Sequence, residues 1–456
     1  MPDASQTALF PMNQGVKLGF TQHVGVIGGR GVVISLTLVQ ARTIPERERT
    51  CMFDIRQHLS DIAQGSAQPF AGFPPYHFVG GNIDEPTVPA EALASAVADV
   101  LRTAGHAMAK YGMESGPQGY LPLREATAAM LNRRAGMHVT ADQILLTSGS
   151  LQAMDLVNKL YLNRGDVVLI EAENYAGTMG KLNAMGVDYV GIPQDDQGMR
   201  MDALEALLAE YTAKGRKPRY IYTIPTIQNP TGTVLPLERR REMLALAQKY
   251  DVPIFEDDCY ADLVFSGTRP PAIQALDTEG RVIYCGTYSK TIAPALRVGF
   301  LVVPWPLMGH VLPLKTDAGS GALEQMVLAQ FVPDHFDAHV AKLLPVLQEK
   351  ADTLCAALDE HFGAAAHYTK PDGGIYLWVT LPEHVDTDHL FHAALKHGVE
   401  INPGSQWSVD GAANAHRMRI CFGHPTHAAL KDGIAKLAQV CFEEFGVPIR
   451  SSNVMR

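Results

Sequence analysis

Several classes of protein are excluded by what this sequence lacks. Only six of its 456 residues are cysteine, no two form a C-x-x-C pair, and none clusters with histidine at zinc spacing. A disulfide-stapled secreted scaffold is therefore not expected, nor is a metal site, and a reducing cytoplasmic setting is the simplest one. Positive charge is in the minority, with 38 Lys and Arg against 48 Asp and Glu and a formal charge of −10. Such a balance disfavours nucleic acid and anionic membrane as partners, although a few local arginines can still hold a small anion. Uninterrupted apolar runs of about 18 residues are missing, so no membrane span is expected. Residues 20–40, FTQHVGVIGGRGVVISLTLVQ, come nearest, but glycines break the run. That stretch also lacks a basic start and a small-residue cleavage site, which argues against a secretory signal. Its GVIGGRG does not have the G-x-G-x-x-G spacing of a dinucleotide loop.

What is present is a rhythm. QILLT (143–147), DVVLI (166–170), DYVGIP (188–193), RYIYTIP (219–225), VPIFED (252–257), RVIYCG (281–286) and VGFLVVP (298–304) read as strands. Between the earlier ones lie helical patterns such as MDALEALLAEY (201–211) and PLERRREMLALAQKY (236–250). Alternation of this kind predicts an α/β fold, a mostly parallel sheet covered by helices on both faces. After about residue 330 the rhythm changes. A long helix at 334–362 precedes GGIYLWVTLP (373–382), VEINPG (399–404) and RMRICFG (417–423), which predicts a smaller α+β domain. The expected organisation is an extension at 1–51, an arm at 52–87 joining the small domain, a large domain at 88–330 and a small domain at 331–456. Met52 opens MFDIRQHLSDIAQG, which looks like the first helix of the catalytic fold.

Polar residues fall where a parallel sheet presents a ligand, beyond the carboxyl ends of its strands. Asn229 sits in QNPTG after one strand, Asp257 ends IFED with Tyr260 three residues on, and Lys290 follows another strand in GTYSKTIAPALR. Taken singly, each is an ordinary turn, cap or surface residue. Their order and shared placement make coincidence a poor account.

With YGMESGPQGYLPLR (111–124), TSGSLQAMDL (147–156), EAENYAG (171–177), PTIQNPTG (225–232), EDDCYADL (256–263), GTYSKTIAPALRVGF (286–300), KPDGGIYLWV (370–379) and MRICF (418–422), these residues form a set. The set resembles the fold type I, pyridoxal 5'-phosphate (PLP)-dependent aminotransferases of class I/II, and within them the 2-aminoadipate and aromatic amino acid subgroup. The resemblance runs from about Met52 to about residue 445. It implies a three-layer α/β/α large domain with a smaller α+β domain, and transfer of an amino group from an L-amino acid to a 2-oxo acid. Lys290 would form an imine with the PLP aldehyde and later shuttle a proton. Asp257 would pair with the pyridine nitrogen, which makes the ring an electron sink. Asn229 and Tyr260 would hydrogen-bond the ring's phenolic oxygen, and Tyr175 would stack on its face. The phosphate would be held by the helix start at Ser150 and Leu151, the hydroxyls of Thr287 and Ser289, and the fork of Arg297. Tyr111 resembles a tyrosine that reaches the phosphate of a neighbouring subunit, which implies a homodimer with shared sites. Arg419 would grip the substrate α-carboxylate, approached also by the backbone of Gly81 and Asn82. Arg56 falls where some relatives read the substrate side chain, and an exposed helix arginine explains it equally well.

Some positions depart from the family pattern. Thr287-Tyr288 replaces Ser-Phe, Leu151 replaces glutamine, and Cys259 stands where proline or alanine is usual. Glu173-Asn174 precedes Tyr175 in place of Pro-Ser or Pro-Thr, and YGMESGPQG is longer than usual. These last two are expected on the substrate side. The same cofactor site also supports lyase, decarboxylase and oxidase chemistry. A transcription-regulator effector domain is a further alternative, disfavoured because the residues before Met52 are few and not basic.

Overall fold

The computed structural model describes residues 69–450 apart from 266–268, three strands before residue 44, and a few residues between 58 and 67. The chain divides into two units, Met1–Phe70 and Ala71–Arg456. In the first, strands Thr7–Met12, Val16–Gly25 and Val33–Thr43 pair antiparallel in that order. The helix expected at Met52, and Arg56 within it, lie outside the described residues.

The second unit is built on a seven-stranded sheet. Its strands are β1 (Ile144–Thr147), β2 (Val167–Glu171), β3 (Asp188–Ile192), β4 (Ile221–Thr223), β5 (Ile254–Asp257), β6 (Val282–Thr287) and β7 (Gly299–Val302). Their spatial order is β1-β7-β6-β5-β4-β2-β3. Only β7 runs against its neighbours: Phe300 stands opposite Gly286 of β6 on one side and Leu146 of β1 on the other. Successive strand residues pack on opposite faces. Ile254 and Val282 meet Leu204, Leu208 and Met243 from helices Met201–Ala213 and Leu237–Tyr250. Phe255 and Ile283 meet Leu156, Val157 and Leu182 from α1 (Ser150–Tyr161) and the helix Ala176–Met185. Burial on both faces is why these strands read as continuous apolar runs rather than alternating ones. The α/β fold with a mostly parallel central sheet is as expected.

The long helix α2 covers Ala322–His361 and starts well before residue 334. Proline removes a helix N–H and crowds the preceding turn, so Pro333 is a costly residue inside a helix. The helix nevertheless continues through Pro333 and Pro345. A buried stripe that includes Met326, Leu328, Phe331, Phe336, Val340, Leu343 and Leu347 accompanies it. Each such side chain contributes about 1.5–3 kcal/mol, so together they outweigh the roughly 3 kcal/mol that each proline costs.

Beyond α2, strands β8 (Tyr376–Thr380), β9 (Asn402–Pro403) and β10 (Arg417–Cys421) form an antiparallel sheet in the order β8-β10-β9. Arg419 thus lies on the central strand, opposite Trp378 on one side and Asn402 on the other. The expected strand at 399–404 is two short ones, since Val399–Glu400 pairs separately, and parallel, with Tyr76–His77 of the arm. Phe78 then enters the core of this part, against residues such as Leu354, Leu358, Leu430 and Leu437. Among the described residues no helix is long and apolar enough to cross a membrane.

Candidate active site

Three central strands end side by side, and their next residues enclose one cavity of about 330 Å³. After β6 the chain turns under Tyr288, whose buried hydroxyl bonds Thr127 at 2.8 Å. The turn sends Lys290 into the cavity, where its Nζ donates to Gly81 O at 2.8 Å and lies 5.8 Å from the Tyr260 ring centre. Burial lowers the Lys290 pKa, which favours the neutral, nucleophilic amine.

At the end of β5, Asp257 accepts a 2.8 Å hydrogen bond from the Tyr222 hydroxyl through Oδ2. Its Oδ1 is buried and has no hydrogen-bond partner among the described residues. Burial pushes the Asp257 carboxyl up from the ordinary carboxylate range, and a cationic N–H donor placed at Oδ1 would relieve that. One strand over, Glu171 at the end of β2 is also buried. It accepts from Thr223 Oγ1 at 2.7 Å, Ile224 N–H at 3.1 Å, Asn174 Nδ2 at 3.1 Å and Gln228 Nε2 at 3.4 Å. This carboxylate therefore ties down the segments that carry Tyr175 and Asn229. Burial outweighs its donors and pushes its pKa up to about 7.

The opposite end of the cavity suits an anion. Helix α1 begins there with Ser150 and Leu151, after Gly149 in a positive-φ conformation (83°). The first N–H groups of a helix have no carbonyl a turn back to bond, and its dipole favours negative charge. Ser289 and Arg297 complete this wall. The Arg297 guanidinium is steered by Ser148 O at 3.2 Å and Pro294 O at 3.1 Å. Strand β7 brings Arg297 and Ser150 together although they are far apart in sequence. A side chain at Gly299 would strike the Gly149–Ser150 backbone at 2.8 Å, so only glycine lets the two segments approach so closely.

Arg419 reaches the same cavity from β10. Its Nη1 donates to Asn229 Oδ1 at 3.1 Å and its Nη2 to Gly80 O at 3.0 Å, while Nε is buried without a partner. The guanidinium carbon lies 3.7 Å from the Trp407 ring centre and 5.3 Å from that of Tyr376. Trp407 is in turn 5.8 Å from Tyr175. Cys259 lines the cavity too, with its sulfur within 4.8 Å of the Asp257 carboxylate and the Cys285 sulfur.

Lys290, Asp257, Tyr260, Asn229, Tyr175, Ser150, Leu151, Ser289, Arg297, Gly81 and Arg419 are thus all gathered on one cavity. Thr287 and Asn82 are not on its wall. The Thr287 hydroxyl lies 3.0 Å from Ser289 Oγ and 3.1 Å from Val298 O. Tyr111 and the longer stretch after it line a different cavity of about 780 Å³, with Lys315, Asp317 and Ser320. Placing Glu173-Asn174 on the substrate side needs correction. Glu173 turns away to Arg417 Nη1 at 3.4 Å and Gln194 Nε2 at 3.1 Å, and Asn174 bonds Glu171. The reason is local: the backbone of residue 173 bridges Ser408 and Asn174 N–H bonds Trp407 O, which turns only Tyr175 inward. Trp407 itself was missed, because the motif was followed only as far as Gly404. One of just three tryptophans in the chain, three residues beyond a strand, was the available signal.

A family profile described as "Aminotransferase class I and II" matches residues 81–437. The chain belongs to this family. Aromatic-amino-acid aminotransferase 1 of Thermococcus litoralis is 33% identical to it over 375 residues, covering 80% of this chain and 88% of that protein. The solved structure of LysN, an α-aminoadipate aminotransferase of Thermus thermophilus complexed with N-(5'-phosphopyridoxyl)-L-leucine, shares 30% identity. It covers 82% of this chain and 93% of that one, with a TM-score of 0.75. An uncharacterized HTH-type transcriptional regulator, YisV of Bacillus subtilis, is 33% identical over 326 residues, covering 71% of this chain and 66% of that protein. The aminotransferase thus stands in the aromatic and 2-aminoadipate subgroup, and its activity is the transfer of an amino group.

Proposed function

We propose that the aminotransferase holds pyridoxal 5'-phosphate in the Lys290 cavity and uses it to move the amino group of an L-amino acid to a 2-oxo acid. One observation carries this reading. A half-buried amine, a buried carboxylate oxygen without a partner and a stacked arginine share one cavity of about 330 Å³ with a helix start. These groups fit the cofactor's aldehyde, ring nitrogen and phosphate, with Arg419 left for the substrate. When bound, the cofactor supplies an electrophilic carbon and a ring that draws electrons away from the substrate Cα.

The chain's own residues do the rest. Asp257 Oδ1 accepts the ring N–H and keeps that proton in place, while Tyr222 holds Oδ2 so that the carboxylate cannot turn away. Ser150, Leu151, Ser289 and Arg297 bind the phosphate, with Thr287 acting through Ser289. Tyr175 would stack on the ring, and Asn229 and Tyr260 would hydrogen-bond its phenolic oxygen. Arg419, with the Gly81 backbone, would orient the α-carboxylate, and Asn82, off the wall, would act through the arm beside it. Lys290 Nζ would take the proton from the substrate Cα and hold it for return. We extend the reading to a large cofactor domain at 88–330 with a small domain at 331–456, and to a homodimer. Tyr111, 91% exposed in the single chain, would reach the phosphate held by a second copy. A cytoplasmic setting accords with five described cysteines that are all free.

Borohydride reduction of the yellow protein followed by peptide mapping tests the reading. The cofactor should be fixed on Lys290, and Lys290→Ala should neither be labelled nor transaminate. A Lys290→Ala protein that still turns over amino acids would remove the proposal.

A further inference from the structure

Gly80 and Gly81 have no side chains, yet their carbonyls meet two nitrogen donors of the site, Arg419 and Lys290. Gly80 O accepts from Arg419 and Gly81 O from Lys290. A Cβ on Gly81 would lie 2.3 Å from Lys290 Nζ, so the arm passes as close as bare backbone allows. Lacking anchors of their own, the two carbonyls stand where the flanking residues put them. Upstream, Phe78 is fully buried and its backbone pairs with Glu400 O at 2.9 Å and Cys421 N–H at 2.8 Å. Downstream, Asp84 accepts from Lys350 Nζ, and these two residues are only 7% and 3% exposed.

Lys350 comes from the last third of α2. Its ammonium also meets Gly423 O at 3.1 Å and His424 O at 3.4 Å, just past the end of β10. One ammonium therefore joins the arm that touches Arg419 and Lys290, the strand that carries Arg419, and the long helix. Packing alone does not require charge there, because an apolar pair of similar volume is often as stable as a buried ion pair. What hydrogen bonds add is a single register, and a slip of the arm would move both glycine carbonyls off their partners.

We propose that the Asp84–Lys350 pair is a positioning device for the active site, fixing the Gly80 carbonyl so that Arg419 is held ready for the substrate carboxylate. The inference rests on Arg419 as the carboxylate-binding residue proposed above.

Binding of 3-phenylpropionate, a carboxylate with no amino group to transfer, to the holoenzyme isolates this role. Its Kd is read from the absorbance of the bound cofactor, alongside KM and kcat for the best amino donor. Lys350→Met should raise Kd and KM about tenfold or more while kcat falls less than about threefold. Lys350→Arg, which keeps the charge and donors, should recover most of the loss. Were Lys350→Met to yield no folded protein, Asp84→Asn, which keeps an acceptor oxygen but removes the counter-charge, is held to the same thresholds. Kd and KM within about twofold of the parent, or kcat falling as much as KM rises, overturns the proposal. Arg419→Lys separates the two levels: if it leaves Kd unchanged, the carboxylate reading itself fails, whereas a weakened Arg419→Lys beside a normal Lys350→Met sinks only the arm device.

Discussion

Glu171 offers a sharp test of how burial and hydrogen bonding compete in this site. Its carboxylate is 2% exposed and surrounded by four donor groups from Thr223, Ile224, Asn174 and Gln228. The nearby Asp257 carboxylate adds to the upward push of burial, and the balance raises Glu171 from 4.5 to about 7. In the unfolded chain it loses its proton near 4.5. Between those values the folded protein binds the extra proton, so this contribution to stability is full below about 4.5 and is lost as pH rises through about 7. A difference of that size corresponds to roughly 3 kcal/mol. Glu171→Gln stays neutral throughout, and the flanking amides and the Thr223 hydroxyl can turn to match it. Relative to the parent, the variant should therefore gain about 3 kcal/mol between pH 4.5 and pH 8, measured as paired urea unfolding free energies. Glu256, likewise buried and raised to about 7, is present in both proteins and cancels in the difference. A variant-minus-parent difference that stays flat within about 1 kcal/mol would refute the reasoning. It would mean that the four donors already hold Glu171 charged at pH 5.

Asp257→Ala should still bind the cofactor through the phosphate wall but lose at least about 100-fold in kcat, because the ring proton loses its acceptor. A fall of less than about tenfold would show that Oδ1 is not the ring's partner. Gly81→Ala should push the Lys290 amine off its line, since the added carbon would stand 2.3 Å from Nζ. The fraction of cofactor that borohydride fixes on Lys290 should drop, and an unchanged fraction would mean that the arm moves aside freely.

Much of this was legible in the sequence, for a definite reason. A strand buried on both faces must be apolar along its length, so β2, β4, β5 and β6 announced themselves. The polar residue that ends each run then had to lie at the ligand edge, and Asp257, Asn229 and Lys290 do. What stayed hidden depends on facing rather than on pattern. Lys350 looks like any solvated helix lysine until Asp84 closes over it. Trp407 becomes part of the site only because β9 and β10 pair with Asn402 opposite Arg419. Glu173 sits two residues from Tyr175, yet its partner is Arg417. No local periodicity encodes which of two neighbours turns inward. The true start of α2 lies ahead of Pro333, and the tertiary stripe that carries the helix through that proline is not visible in the sequence.

Strand β7 has a consequence for the order in which the protein can form. Within the sheet β1 pairs with β7 alone, and β7 is made roughly 150 residues later. At ordinary rates of synthesis β1 must wait about 8–30 s for a partner. The wall proposed to hold the phosphate inherits that delay, because Ser150 follows β1 and Arg297 precedes β7. A contact spanning such a length of chain carries a heavy loop-closure cost, so it belongs among the late events of folding. Cofactor capture would thus act as a checkpoint: only a chain whose β7 has been threaded between β1 and β6 can build the proposed phosphate site.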